Sequence, residues 1–321
     1  LRRLLAAFAL VACSGMASAQ DYPAKPVRII VSSAPGGQPD IAFRVLAQQF
    51  SLMFNNRFLV ENIPGANGIA AINTLLKMPP DGYTLFYGYA GTWAINTALN
   101  PKLPYDSQRD FAPIGIIGES AGLLLVVGGQ VPAGSLQELV SLVKARPGSL
   151  SYASSGFGSI HHLIMEDFNS SLGLNMLHVP YKGSGESVPA LVGGQVSMAL
   201  ASLAAVAPHV KEGRVRIVGI STKDRSPLLP NVPPMSEAGI PGFDHPAALG
   251  LLARAGTARP IIDRLSAALA KSMTMPEVTT RFASIGLEPA ADTSPETLGE
   301  RIRQDRIKYT RVVKITGATA D

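Results

Sequence analysis

The stretch Val27-Arg28-Ile29-Ile30-Val31-Ser32-Ser33-Ala34-Pro35-Gly36-Gly37-Gln38-Pro39-Asp40 decides the fold class. A short β-branched apolar run gives way to a Ser/Pro/Gly turn. Gln38-Pro39 then opens a helix, with Pro at its first position and an apolar stripe at Ala42, Leu46, Phe50 and Met53. Strand, glycine turn, helix is the unit of α/β construction. The same grammar recurs twice: Ser151-Tyr152-Ala153 passes through Ser154 to Ser159 into a helix near Ile160, and His178-Val179-Pro180-Tyr181 passes through Lys182-Gly183-Ser184-Gly185 into a helix near Glu186. Further strands are read at Thr84 to Tyr87, Leu123 to Val127, Ile217 to Ile220 and Leu249 to Ala253. Ser135-Leu136-Gln137-Glu138 forms a capping box, and Ser294-Pro295-Glu296 opens the last long helix. This rhythm predicts an α/β fold with mainly parallel sheets.

The rest of the composition agrees. A chain of 321 residues accommodates about two domains. With 46% hydrophobic and only 16% charged positions it has ample core and is not globally disordered. Its 31 Gly and 25 Pro are dispersed, which implies many loops joining short elements, and a single Cys excludes a disulfide scaffold. Leu1-Arg2-Arg3, an apolar run from Leu4 to Cys13 and Ala17-Ser18-Ala19 form the three-part pattern of a secretory signal over residues 1–19, cleaved after Ala19. Leu10-Val11-Ala12-Cys13 offers a second reading, a lipoprotein box acylated at Cys13. Losing Arg2 and Arg3 leaves 26 basic against 23 acidic residues, so a net +5 becomes +3 and no nucleic-acid partner is expected. Arg301, Arg303, Arg306, Lys308, Arg311 and Lys314 lie on a helix with apolar Leu298, Ile302, Tyr309 and Val313, and read as its solvated face.

Each strand–turn–helix junction leaves about four backbone N–H groups at the helix start without partners, beside a partial positive charge. Glycine lets that backbone approach a ligand, and serine adds donors, so such junctions can hold a carboxylate or phosphate without an Arg. Enzyme signatures are weak. Ser184 lies between Gly183 and Gly185 but Lys182 breaks the nucleophile-elbow pattern. His161 and His162 are adjacent, so they point to different helix faces, and no catalytic residue, cofactor or metal ligand is assigned. One alternative stays open: a secreted serine hydrolase using a Ser within 154–159 together with His162.

Ala34-Pro35-Gly36-Gly37-Gln38-Pro39-Asp40, followed by Ala42 and Arg44, resembles the opening of tripartite tricarboxylate transporter receptors, the TctC-like or Bug family of periplasmic binding proteins. Glu61-Asn62-Ile63-Pro64-Gly65-Ala66, Pro80-Asp81-Gly82-Tyr83-Thr84-Leu85, Gly158-Ser159 with His162-Leu163, and His178-Val179-Pro180-Tyr181-Lys182-Gly183 match in order. So do Glu237-Ala238-Gly239 and Pro241-Gly242-Phe243.

The resemblance implies a two-lobed type II periplasmic-binding-protein fold. A discontinuous first α/β lobe would span 20–122 and 246–321 and a second 123–245, with the ligand in the cleft between them. It implies a monomeric receptor in the periplasm, not an enzyme, that binds a small organic carboxylate and feeds the membrane subunits of a tripartite transporter. Carried over by position, the ligand contacts are Pro35, Gly36, Gly37, Gln38 and Asp40, with Gly91 and Thr92 nearby, and from the second lobe Ser154, Ser155, Ser159, His162, Tyr181, Lys182 and Ser184. Where relatives carry an acid and a polar neighbour, this chain reads Ala199-Leu200-Ala201-Ser202, leaving Ser202 alone. Asp40, in a first helical turn, either anchors its loop or receives a polar group of the ligand.

Overall fold

A computed structural model describes residues 22–318 except Pro101 and Ala121, and leaves out the side chains of Ala66 and Ser184. The secretory segment and Cys13 lie outside the described residues.

The strands form two sheets. The first is built from β1 (Val27–Val31), β2 (Phe58–Asn62), β3 (Thr84–Gly88), β4 (Phe111–Ser120), β10 (Ala248–Arg254) and β11 (Leu287–Pro289), in the order β11-β4-β10-β3-β1-β2. The second is built from β5 (Leu124–Gly128), β6 (Ser151–Ser154), β7 (Leu177–Pro180), β8 (Met198–Ala201) and β9 (Val215–Ile220), in the order β7-β6-β8-β5-β9. Both are mixed, which corrects the expectation of mainly parallel sheets. β1 pairs in parallel with β2 and β3, and β6 with β7 and β8, but β10 runs antiparallel to β3 and β4, β11 to β4, and β5 to β8 and β9. The physical reason is the crossover. The chain leaves the first sheet from β4 and enters the second as β5, then returns from β9 to β10, so the crossing strands run against their neighbours.

Each sheet is covered on both faces, which is why its central strands are apolar at successive positions. On the first sheet, Ile29, Val31, Leu85 and Leu251 pack against α1 (Gln38–Phe54), α8 (Arg259–Met273) and α9 (Pro276–Ser284). Ile30, Phe86 and Leu252 on the opposite face meet α2 (Ile69–Leu76), the wide turn Gly91–Ile95 and α10 (Pro295–Thr316). The short α3 (Asn96–Leu99) continues that turn. On the second sheet, Leu125, Tyr152 and Met198 face α4 (Leu136–Ala145) and α5 (Ile160–Ser171), while Leu124, Ala153 and Ala199 face α6 (Ser184–Val192) and α7 (Leu203–Lys211).

Two connections join the lobes, residues 121–123 and 221–247, and Ser221 knots them. It is fully buried, its amide donates to Leu123 O (2.9 Å), and its Oγ accepts from Leu123 N (3.0 Å) and donates to His245 O (3.0 Å). The lobes also share apolar contacts: Leu163 of α5 is buried in the first lobe's cluster beside Trp93 and Leu298, while Met165 and Phe168 belong to the second lobe's core.

Helix α10 departs from its sequence reading. Leu298, Ile302 and Tyr309 of its apolar stripe are buried and Val313 is half-buried, but Arg301, Arg306 and Lys308 are not simply solvated: Arg301 bonds Glu119, Asp305 and Pro246 O, Arg306 bonds Asp106, and Lys308 Nζ donates to Asp244 O. A basic row on a helix gives no sign of acceptors that arrive from distant parts of the chain.

Candidate functional site

Four helices start in the same way. The side chain at the third helical position reaches back to the amide two residues before the helix. Asp40 Oδ2 accepts from Gly36 N (2.9 Å), Glu138 Oε2 from Gly134 N (2.7 Å), Glu186 Oε2 from Lys182 N (3.1 Å) and His162 Nδ1 from Gly158 N (3.1 Å). This braces the turn and satisfies an orphan donor. In three cases the brace is a carboxylate. At α5 it is an imidazole whose Nδ1 accepts the hydrogen bond, so that bond assigns His162 as the neutral Nε2–H tautomer.

On the first lobe, the loop 34–40 leaves Pro35 and Gly36 exposed, with Gly36 at a left-handed φ of 83° that favours glycine. Gly37 caps α1 without a side-chain acceptor. Gln38 Nε2 donates to Ile285 O (2.8 Å) and Gly286 O (3.2 Å), fixing the helix start against the turn after α9. Asp40 is 3% exposed and fully engaged by Gly36 N, the Arg44 guanidinium (3.0 Å) and Asn62 Nδ2 (2.9 Å). Burial raises its pKa, but these donors outweigh it and hold the carboxyl below its ordinary range. Of the two roles open to Asp40 in the sequence, this geometry is that of the anchor.

Gly91 and Thr92 are buried in a wide π turn. Thr92 Oγ1 accepts from Tyr89 N and donates to Tyr89 O, so its hydroxyl closes the turn and does not face the cleft. Tyr89 and Asn67, joined by a 2.8 Å bond, lie over Gly91, where a Cβ would come 2.9 Å from Asn67 Oδ1. The sequence reading omits both from the site. Asn67-Gly68 is a readable turn signal, and Asn67 has φ 48°. Ser32 and Ser33, part of the quoted junction but not of the expected site, carry buried hydroxyls that have no hydrogen-bond partner among the described residues.

On the second lobe, Ser154, Ser155, Ser159 and His162 converge on one turn. Ser159 caps α5, its Oγ accepting from His162 N (3.2 Å). Ser155 Oγ lies 2.8 Å from His161 Nδ1, and Ser154 Oγ 2.6 Å from His178 Nε2. His178 stacks on His162 with ring centroids 4.1 Å apart. Burial pushes His161 and His178 down from 6.5 to about 4, and His162 contributes to the shift of His178. At neutral pH His161 and His178 are therefore uncharged where they frame the turn. Ser155 with His161 has nucleophile–base spacing, but among the described residues no carboxylate bonds His161 to orient it. Tyr181 N donates to Ser154 O (3.0 Å), placing the third junction alongside. The side chain of Lys182 is exposed and forms no ion pair among the described residues. Ser202 caps α7 without a side-chain bond, and the side chain of Ser184 lies outside the described residues.

The two sets of loops meet across the lobes at two points. A Cβ on Gly286, which holds Gln38, would lie 3.3 Å from Leu203 Cβ, next to Ser202. A Cβ on Gly158, at φ 66°, would run into Leu99 of α3. A groove of about 420 Å³ opens elsewhere, toward the far end of α5 beside Asp167 and Lys308.

Comparison with known proteins fits this geometry. Residues 42–317 match the model of the tripartite tricarboxylate transporter family receptor. Protein BugT of Bordetella pertussis is 34% identical over 323 residues, covering 99% of this chain and 98% of its own. An R. palustris protein solved with adipate has 30% identity and a TM-score of 0.85, over 93% of this chain and 99% of that one. MatC from Rhodopseudomonas palustris, solved with bound malate, has 32% identity and a TM-score of 0.81, over 91% and 100%. The matched family is one of transporter receptors, which removes the hydrolase alternative. With a two-lobed α/β fold and glycine- and serine-rich helix starts facing across the lobes, the chain belongs to the tripartite tricarboxylate transporter receptor family.

Proposed function

We propose that this protein is a periplasmic receptor that binds a small organic mono- or dicarboxylate between its lobes and delivers it to the membrane subunits of a tripartite tricarboxylate-type transporter. The observation that carries the reading is the neutral brace at α5. A helix start favours an anion, and Asp40 and Glu186 already place a negative charge in the fields of α1 and α6, whereas His162 places none at α5. The turn Ser154 to Ser159 thus keeps its attraction for a ligand carboxylate. Lys182, an exposed cation beside it that forms no ion pair among the described residues, suits a second carboxylate or another polar end. The relatives solved with adipate and malate hold dicarboxylates, in line with this chemistry.

The lobes divide as 20–122 with 246–321, and 123–245, after removal of residues 1–19 behind Ala19. Pro35, Gly36, Gly37 and Gln38 form the first-lobe wall, with Ser32 and Ser33 before them. Ser155, Ser159, Tyr181, Lys182 and Ser202 form the other. Binding is a closure equilibrium, shifted by contacts made only when both walls meet the ligand. Mass spectrometry of the small molecule released from the purified, undenatured protein tests the reading: a small carboxylate supports it, and a sugar or a metal ion in its place refutes it.

A further inference from the structure

Arg301 of α10 is 13% exposed and touches three separate places. Its Nε donates to Asp305 Oδ1 (3.0 Å), its Nη1 to Glu119 Oε1 (2.6 Å) and its Nη2 to Pro246 O (2.8 Å). Glu119 lies at the end of β4, where the chain leaves the first lobe, and Pro246 just before β10, where it returns. One guanidinium therefore holds the exit end of β4, which feeds the first crossing segment, and the last residues of the returning one. Asp305, 2% exposed, also accepts from Trp93 Nε1 (2.8 Å), and Trp93 belongs to the wide turn Gly91–Ile95 that closes the first-lobe wall. Residues of that turn, Trp93, Asp305, Arg301 and the two hinge segments thus form one chain of direct contacts.

We infer that Arg301 is a positioning residue for ligand capture: it fixes the angle at which the two crossing segments leave the first lobe, and ties that angle to the turn behind the ligand wall. A planar fork with five donors can satisfy three acceptors at fixed angles, which a lysine ammonium cannot. A buried ion pair adds little net stability compared with apolar packing, and this one earns its place by selecting a single hinge geometry. The claim about capture rests on the reading of the cleft as a carboxylate site. The claim about the hinge does not.

Inter-lobe distances measured by pulsed electron resonance separate the two. Spin labels go on Leu52→Cys of α1 and Leu177→Cys of β7, which are 70% and 61% exposed, in a Cys13→Ser background that removes the only native Cys. Without ligand, the distances in this labelled chain form one narrow population. Arg301→Met with Asp305→Asn, which removes the buried charge along with its counter-charge, widens it about twofold. Arg301→Lys widens it less, because it keeps the charge and loses the fork. Circular dichroism establishes that each variant is folded, and folded variants with the parent width overturn the inference. Should the double variant fail to fold, Glu119→Gln, at the half-exposed end of the clamp, decides in the same way: a smaller widening supports the clamp and an unchanged width overturns it. Adipate is then added. Shortened distances in the parent, needing about fivefold more adipate in Arg301→Lys, support capture through the hinge, and equal adipate demand in both overturns it. A parent that ignores adipate and every other carboxylate defeats the cleft reading while the ligand-free widths still judge the clamp.

Discussion

The loop before α1 and the loop before α5 have the same backbone plan and opposite electrostatics. Both follow a strand, both place a left-handed glycine before the helix, and both are braced from the third helical position onto an amide two residues ahead of it. At α1 the brace is a carboxylate in a network with Arg44 and Asn62. At α5 it is an imidazole stacked on a second imidazole, with a third held against Ser155. The first loop is thereby rigid and already neutralised. The second is equally braced but leaves its helix field uncompensated. One wall supports and the other attracts.

The contrast can be broken most heavily at Asp40. Asp40→Ala strips acceptors from Gly36 N, Arg44 and Asn62 around a buried site, and a loss of about 2–4 kcal/mol is expected, read as a fall in Tm. Acid sharpens the contrast next. The unfolded chain protonates His161 and His178 near 6.5, but the folded one only near 4, so the unfolded state binds more protons between those values. Stability is therefore full above pH 6.5 and drains as pH falls toward 4. Asp40, with its pKa lowered below 3.8, keeps its contribution throughout that window and loses it only below. Hydrogen exchange followed from pH 7 to 4.5 is expected to loosen residues 154–162 while residues 34–40 stay protected; equal loosening of both contradicts the distinction.

Exchanging the brace is the third test. His162→Asp copies the α1 arrangement, preserves a partner for Gly158 N, and puts a negative charge where the ligand carboxylate is expected. Affinity for that ligand should fall about fivefold to tenfold, while His162→Gln, a neutral substitute, stays within about twofold. Calorimetry on the two variants reads the difference. The smallest effect belongs to the cap: Ser159→Ala removes the acceptor of His162 N and costs about 1 kcal/mol by thermal denaturation.

Much of this architecture is legible in the chain before folding. The central strands β1, β3, β5 and β10 announce themselves as apolar runs because both faces are buried, and α1, α4 and α10 carry readable start signals. Ser135 caps α4 as the capping box requires, although Glu138 returns to Gly134 N. What escapes has physical causes. β4 contains Pro113, Gly115 and Gly118, residues that argue against a strand, and its pairing with β10 shifts register around them. β2 is interrupted by the exposed Leu59, and Met198-Ala199-Leu200-Ala201 has the composition of a helix. Sheet direction is set by where the chain crosses between lobes, which no local window contains.

In the site, the turns and caps are local and were readable. The choice between anchor and ligand contact at Asp40 and the partners of Arg301 depend on residues tens or hundreds of positions away. His178 joins the second loop only because β6 and β7 pair in parallel, which sets it beside Tyr152.

The central claim is that a carboxylate is held between these two loops, with its charge toward α5. Calorimetric titration of the mature protein against a panel of mono- and dicarboxylates, including adipate and malate, with sugars and divalent metal ions as controls, tests it most directly. One-to-one binding of a small carboxylate, weakened by His162→Asp and retained by His162→Gln, is the result this account predicts. A clear preference for a sugar or a metal ion, or a carboxylate whose affinity is indifferent to His162→Asp, would contradict it.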